Sequence, residues 1–389
     1  MKILCRKIAY TGFIVSSTAI PGHPAQAMSG PQGIQIEGGP LGSLSLSGGV
    51  DGYVYGQTGT SDKDTGGSLL GDRSNGVNLA NSLADLQKSS GVLQFNIEVG
   101  ATLGSPVLGF APPKANLNTF RTGPLVAGYL TIAPSGSPVT VSVGQLSSLE
   151  GYEALMDYLN ANTFASSLYA VENDNSPGVS ATYTHGPISA TVTYGDGWNT
   201  GVFNFLQGLA SYSFNNNNSL SLYYAGNLGR TGLNALTFGM CGDSRCTVAE
   251  YGPYFMNSQM FGGYFSWTHS NLNLTGVAQY VYAKPDQQIG IGKFTSNFGV
   301  ELISDYSFGT SPWSIAGLAN YFTSNGAGDW YLAPRAAGLA LEITPTWQYK
   351  DLFARISTAW VHLDNTSVYG NGGTGQNAVQ SALEAGVLF

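Results

Sequence analysis

Residues 379–389 read Val-Gln-Ser-Ala-Leu-Glu-Ala-Gly-Val-Leu-Phe. Val379, Leu383, Ala385, Val387 and Phe389 fall on one phase of a period-two repeat, while Gln380, Glu384 and Gly386 fall on the other. Side chains that alternate in this way stand on opposite faces of a strand, so the segment needs an apolar medium on one side and a wetter one on the other. A soluble sandwich could meet that demand once or twice.

Upstream the pattern recurs along most of the chain, in segments of about ten residues, the length a tilted strand needs to cross a bilayer. It is strictest at 92–103, where Leu93, Phe95, Ile97, Val99, Ala101 and Leu103 alternate with Gln94, Asn96, Glu98, Gly100 and Thr102. Further instances are predicted at 44–54, 188–194, 206–214, 220–226, 272–282, 294–308, 313–321, 337–347 and 352–360; the patterns at 77–88, 124–133 and 139–145 are weaker. Short turns (Ser89 to Gly91, Pro134 to Pro138, His185 to Pro187, Asn215 to Asn218, His269 to Asn271, Gly309 to Pro312, Gln348 to Asp351) alternate with longer Gly- and Asn-rich connections. That asymmetry belongs to a membrane barrel with periplasmic turns and extracellular loops. The expected fold is all-β, a transmembrane antiparallel up-and-down β-barrel over 42–389, with sixteen strands, or fourteen if one hairpin is misread. At that size side chains do not fill the interior.

Composition agrees. Charged residues make up 10% of the 389 residues, while Gly (53), Tyr (22) and Phe (18) are abundant; a soluble domain carries about 25% charge. Aromatics near predicted strand ends (Tyr212, Phe214, Tyr306, Phe308, Trp313, Trp347, Trp360) have the placement of interfacial girdles. Lys2, Arg6 and Lys7, the apolar-leaning stretch Ile8 to Ile20, and Ala25-Gln26-Ala27 have the regions of a secretory signal peptide over 1–27, followed by a lead-in over 28–41. Its removal leaves 12 basic against 23 acidic residues, a formal charge of −11, which argues against nucleic acid as a partner. Cys241 and Cys246 are expected to form a disulfide in an exported loop.

The longest interior connection, 146–177, contains Glu150, Tyr152, Glu153, Asp157, Glu172 and Asp174 and no basic residue. Leu155, Met156 and Leu159 have the spacing of a short helical turn whose apolar side could rest on the barrel wall. A connection of this length is functional or disordered, and the expectation is a constriction loop folded inward. An outward surface loop with solvated acids is the alternative. No Lys or Arg lies between Arg121 and Arg230, so cation preference is expected, carboxylates in a narrow passage focusing a negative potential. Glu98, Glu301, Asp305, Glu342 and Glu384 fall on the inward phase with Arg355, which either sets a transverse field or partners one of these acids.

Enzyme readings are weak. His185, His269 and His362 form no ligand-spaced cluster, Gly370 to Gly375 lacks phosphate-loop spacing, and neither a metal centre nor a cofactor is expected. A barrel hydrolase pairing Ser with His in space would leave no sequence motif.

Gly144-Gln145, Gly151-Tyr152-Glu153, Asn175, Gly178 to Tyr183 and Asp196-Gly197-Trp198-Asn199 together resemble the OmpL-like β-barrel porins of Gram-negative bacteria, over about residues 76 to 230. In that family Lys commonly follows the glycine where Gln145 stands here, and Asn-Gly-Trp-Asp stands where this chain has Asp196 to Asn199. The resemblance implies a porin-like protein. The functional expectation is passive diffusion of small hydrophilic solutes with weak cation preference. Two competitors are a closed barrel serving as anchor or surface adhesin, and a sugar channel using Tyr223, Tyr264 and Phe353. Outer-membrane lipid is the expected surrounding, the assembly machinery would read the last strand and Phe389, and a homotrimer is common among porins of this size.

Overall fold

A computed structural model describes residues 28, 30, 33–102, 104–117, 122–232 and 252–389. The proposed signal peptide and the Cys241–Cys246 pair lie outside the described residues.

A four-residue strand, β1 (Ile34–Glu37), precedes sixteen long ones. The first eight are β2 (Ser43–Gln57), β3 (Asn75–Lys88), β4 (Leu93–Thr102), β5 (Leu125–Ile132), β6 (Val139–Leu146), β7 (Ser176–His185), β8 (Ile188–Gly195) and β9 (Phe205–Asn215). The second eight are β10 (Asn218–Asn227), β11 (Ser258–His269), β12 (Leu272–Ala283), β13 (Thr295–Ser307), β14 (Trp313–Asn325), β15 (Ala337–Tyr349), β16 (Leu352–Leu363) and β17 (Asn377–Leu388). Each pairs antiparallel with its sequence neighbours, and β17 pairs with β2 from Gln380↔Gln57 to Leu388↔Gly49, closing a sixteen-stranded barrel. Closure gives the strand backbones partners throughout, the condition for crossing lipid. β1 pairs with the start of β2, Ile34↔Leu46 to Glu37↔Ser43. It thereby covers the edge of β2 that β17 leaves free once Phe389 has paired with Gly48.

The weakly patterned segments form β3, β5 and β6, and the strand count of sixteen holds. Short turns and long loops alternate around the whole ring. Gly186, Ser270 and Lys350, at the tight turns, take φ of 58°, 54° and 54°, the left-handed backbone that two-residue hairpins use.

Outward side chains are apolar and uncovered: Val54, Val143, Val192, Leu302, Ile343, Ile356 and Leu383 are all exposed. In water so continuous an apolar surface would aggregate; against lipid it is the stabilising face. At the short-turn rim, Tyr212 and Phe214 (ring centroids 5.0 Å apart), Tyr306 and Phe308 (5.1 Å), Trp313, and Trp347 with Tyr349 form an aromatic belt. Trp360 stacks on His362 near the opposite rim. No described helix is long and apolar enough to cross a membrane; the strands cross instead.

Candidate pore constriction

The inward phase divides the wall into two kinds of surface. From β5 to β12 it carries hydroxyls that bond across neighbouring strands: Thr131 with Ser142 (2.7 Å), Ser180 with Thr193 (3.1 Å), Thr182 with Thr191 (3.0 Å), Ser211 with Ser221 (2.8 Å) and Ser266 with Thr275 (3.0 Å). From β14 to β17 it carries Ala316, Ala340, Ala359, Ala378 and Ala382, each at most 2% exposed. Alanine leaves a wall of low relief on which other chain can lie. Phe164, Leu108, Tyr331 and Leu332 pack there in one apolar cluster with these alanines and Tyr53, Phe322 and Tyr369.

The chain that lies on it is the loop joining β6 to β7. Leu149 N–H donates to Gln207 Oε1 on β9 (2.8 Å), and Asn81 on β3 donates to Asp157 Oδ1 (2.7 Å). Asn162 Nδ2 then donates to Thr344 on β15 (3.0 Å), Thr163 N–H to Ser357 on β16 (3.2 Å), Phe164 N–H to Glu342 on β15 (3.2 Å), and Ser167 N–H to Asn320 on β14 (3.2 Å). Finally Gln279 on β12 donates to Glu172 Oε1 (2.6 Å). The loop therefore crosses the lumen. Leu168 comes so close to β13 that a Cβ on Gly299 would stand 2.5 Å from its Cδ1. Leu155 and Met156 precede a 3-10 turn, Asp157–Leu159, and with Leu159 they pack with Leu83, Val126, Phe353 and Leu388.

The residues at the porin-motif positions gather at the feet of this loop. The Asn175 carbonyl accepts from Gln145 Nε2 (3.0 Å) and Asn199 Nδ2 (2.8 Å), and Asn175 donates to the Val126 carbonyl (2.9 Å). Asp196 accepts from the Thr200 and Gly201 backbones (2.8 and 2.6 Å), fixing the turn that carries Trp198. Gly151 has φ of 71°, and a Cβ there would meet the Glu172 carboxylate at 2.0 Å, so only glycine suits the position.

Sequence reasoning missed a second inward segment. Residues 106–110 of the β4–β5 loop run beside the first loop, Leu108 N–H donating to the Ala165 carbonyl (2.9 Å) and Ala165 N–H to the Pro106 carbonyl (2.7 Å). Gln380 on β17 grips the end of this segment with both atoms of its amide, accepting from Gly109 N–H (2.7 Å) and donating to the Phe110 carbonyl (2.8 Å). Its sequence, Pro-Val-Leu-Gly-Phe, bears no charge and no periodicity, so nothing marked it as interior.

Three carboxyls of the β6–β7 loop brace the loop itself. Glu150 accepts from Asn173 N–H (2.9 Å), Glu153 from Ser166 N–H (3.0 Å) and Oγ, and Asp174 from the Tyr169 hydroxyl (3.3 Å). Burial pushes Glu150 up to about 8, against the Asn173 hydrogen bond and with nearby Asp174 adding to it. Burial likewise pushes Glu153 to about 7 against its Ser166 hydrogen bonds, and Asp157 to about 8, where Glu384 adds and Arg355 opposes. Glu172, enclosed near Glu153, Glu150 and Glu301, is driven well above the usual carboxylate range by burial first and those charges second. Tyr152 and Glu153 border a cavity of about 20 Å³ together with Asn160, Asn162, Ile303 and Leu318, room for about one water.

Of the wall residues expected to face the lumen, Glu98 is half-buried while Glu301, Asp305 and Glu342 are buried. Arg355 donates to Glu384 Oε2 at 2.7 Å and to the Asn160 carbonyl at 2.9 Å, with both charged side chains fully enclosed. It is a structural partner holding the loop. Tyr223 and Tyr264 lie 6.5 Å apart with Tyr152 5.3 Å from Tyr264, whereas Phe353 packs against Tyr158 and Leu388 in a separate cluster; the three do not form one track.

Three solved structures share the architecture. An anion-selective porin from Comamonas acidovorans superposes with a TM-score of 0.58 at 12% identity, covering 89% of this chain and 99% of its own. The outer-membrane channel DcaP of Acinetobacter baumannii gives 0.57 at 12% identity, over 89% and 97%. OmpF of Salmonella typhi, in complex with daunomycin, gives 0.53 at 13% identity, over 92% and 100%. Identities this low establish the fold alone. No curated protein matches the chain in sequence. The family described as "Putative beta-barrel porin-2, OmpL-like" matches residues 43–389, the whole barrel from the first residue of β2 to Phe389, and with its apolar outer face and porin architecture this chain is an outer-membrane β-barrel that belongs to that family.

Proposed function

We propose that the barrel is a passive diffusion channel for small hydrophilic solutes with a weak preference for cations, narrowed by the β6–β7 loop. The observation that carries this reading is the division of the wall. The loop is held on β3, β9 and β12–β17, beside an arc from β5 to β12 whose inward hydroxyls bond one another and of which Ser142, Thr182 and Ser266 stay partly exposed for passing water and solute. Outside the enclosed Arg355 cluster, inward strand positions carry Asp85, Glu98, Glu301, Asp305 and Glu342, a sign of charge that favours cations. The neighbour from Comamonas acidovorans is described as anion-selective; selectivity rests on side chains, which 12% identity does not carry over.

An occluded barrel is the second reading, because two loops and an apolar cluster occupy the lumen beside β14–β17. Planar-bilayer conductance of the refolded protein, with reversal potential under a salt gradient, separates the two. Stable steps with a cation-signed reversal potential support the channel; a folded barrel without conductance supports occlusion.

A further inference from the structure

Where β17 closes on β2, three carboxyl groups and one guanidinium meet out of reach of solvent. Asp51 on β2, Asp157 on the β6–β7 loop and Glu384 on β17 each offer an oxygen within 4.8 Å of the others, and none is more than 3% exposed. Arg355 is the cation beside them. With three carboxylates ionised against one guanidinium the cluster carries two uncompensated negative charges, a costly condition away from water.

Hydrogen-bond accounting exposes the same deficit. Asn81 Nδ2 donates to Asp51 Oδ1 (3.0 Å) and to Asp157 Oδ1 (2.7 Å), which also accepts from Tyr158 N–H (2.9 Å). Glu384 Oε2 accepts from Arg355 Nε (2.7 Å) and Thr163 Oγ1 (3.0 Å). The remaining oxygens, Asp157 Oδ2 and Glu384 Oε1, are buried with no hydrogen-bond partner, as is the adjoining Tyr158 hydroxyl. A carboxylate oxygen left bare in the interior is an acceptor waiting for a donor or a metal.

We infer that Asp51, Asp157 and Glu384 bind one divalent cation of the calcium class. The donors are all hard oxygens, as that class requires. Two oxygens on opposite sides of Ca²⁺, each at about 2.4 Å, are about 4.8 Å apart, and the three carboxyl oxygens lie within that distance of one another. Its two positive charges cancel the two left over by Arg355. The ion joins Asp157 on the loop to the pair of strands that close the barrel, so it acts as a latch on the inward-folded loop. This site is separate from the solute path, and binding is read without reference to conductance.

The test uses the full barrel, refolded in detergent and stripped with EDTA. Tb³⁺ binding is read by luminescence sensitised from Tyr158, and Ca²⁺ is then added as competitor. We expect saturable emission at one ion per barrel, displaced by Ca²⁺, with a Kd on the order of 10⁻⁴–10⁻³ M as in extracellular calcium sites. The unfolding temperature should be higher in Ca²⁺ than in EDTA. Asp157→Asn, which alters only the loop, should weaken binding about tenfold or more by removing a charged ligand. No saturable emission, or equal affinity in both Asp157→Asn and Asp51→Asn, overturns the inference. Should either variant fail to fold, identical unfolding of the wild type in Ca²⁺ and EDTA overturns it alone.

Discussion

Arg355 shows what a single residue position settles. Its register partner across β16 and β17 is Glu384, and the pair is fully buried. Deleting one member of such a pair leaves an unpaired charge, which costs about 3–5 kcal/mol, whereas replacing both with apolar groups is close to neutral. Arg355→Met should therefore lower the urea midpoint of barrel unfolding by that order, and Arg355→Met combined with Glu384→Met should recover most of the loss. Equal midpoints for wild type and the single variant would contradict the pairing. From sequence the inward phase of Arg355 was legible and its partner was not. The connection between β16 and β17 runs from 364 to 376, and a loop of that length leaves the register uncounted. Gly151 is similar. Its place in the porin motif was visible, but the reason for glycine, the Glu172 carboxylate against its Cα, exists only once the loop has folded back on itself. Gly151→Ala should displace that carboxylate and add a left-handed-backbone cost of about 1 kcal/mol or more, read as noisier single-channel current.

The β6–β7 loop was legible as a long acidic insertion, and its acids were expected to face passing ions. The structure gives those acids burial and hydrogen bonds within the loop or to the wall, so their protonation becomes the variable that matters. Glu153 and Glu150 are pushed up to about 7 and 8. The inward loop thus holds more protons than the same loop in water between the ordinary carboxylate range and about pH 8. By linkage its inward packing is fully favoured at low pH and weakens as pH rises through that window. The groups facing these acids among the described residues are themselves acidic: Asp174 and Glu172 beside Glu150, and Glu301 beside Glu153. Current fluctuations and cation preference should both grow between about pH 6 and pH 9. The double variant Glu150→Gln, Glu153→Gln should match the wild-type reversal potential at the acid end and fall below it at the alkaline end. A wild-type reversal potential that stays flat across the range would sink this account.

Over the whole molecule, alternation and loop asymmetry specified the barrel because they are properties of sequence order, needing no contact between distant residues. The filling of the lumen was hidden for the converse reason. Asn81, Gln279, Asn320, Thr344 and Ser357 occupy the same inward phase as any water-facing residue, and only the arrival of the loop turns them into its anchors. The last residue joins the two levels. Phe389 exchanges backbone hydrogen bonds with Gly48 at 2.8 and 3.0 Å, and its ring lies over Gly48, where a Cβ would meet Cζ at 2.8 Å. Two hydrogen bonds at about 1 kcal/mol each and one partly buried ring are small against a closed barrel. Removal of Phe389 should therefore leave the refolded barrel with an unfolding temperature within a few degrees of wild type. For insertion in cells we propose a separate role, in which the terminal aromatic, presented on an unpaired β17 before the ring closes, is the assembly signal. The yield of heat-modifiable barrel in the outer membrane should then fall several-fold on deletion. A Phe389→Tyr variant, which keeps the ring, should restore it. Normal membrane yield after deletion would refute the signal, and an equally large loss of stability in vitro would assign the residue to barrel closure instead.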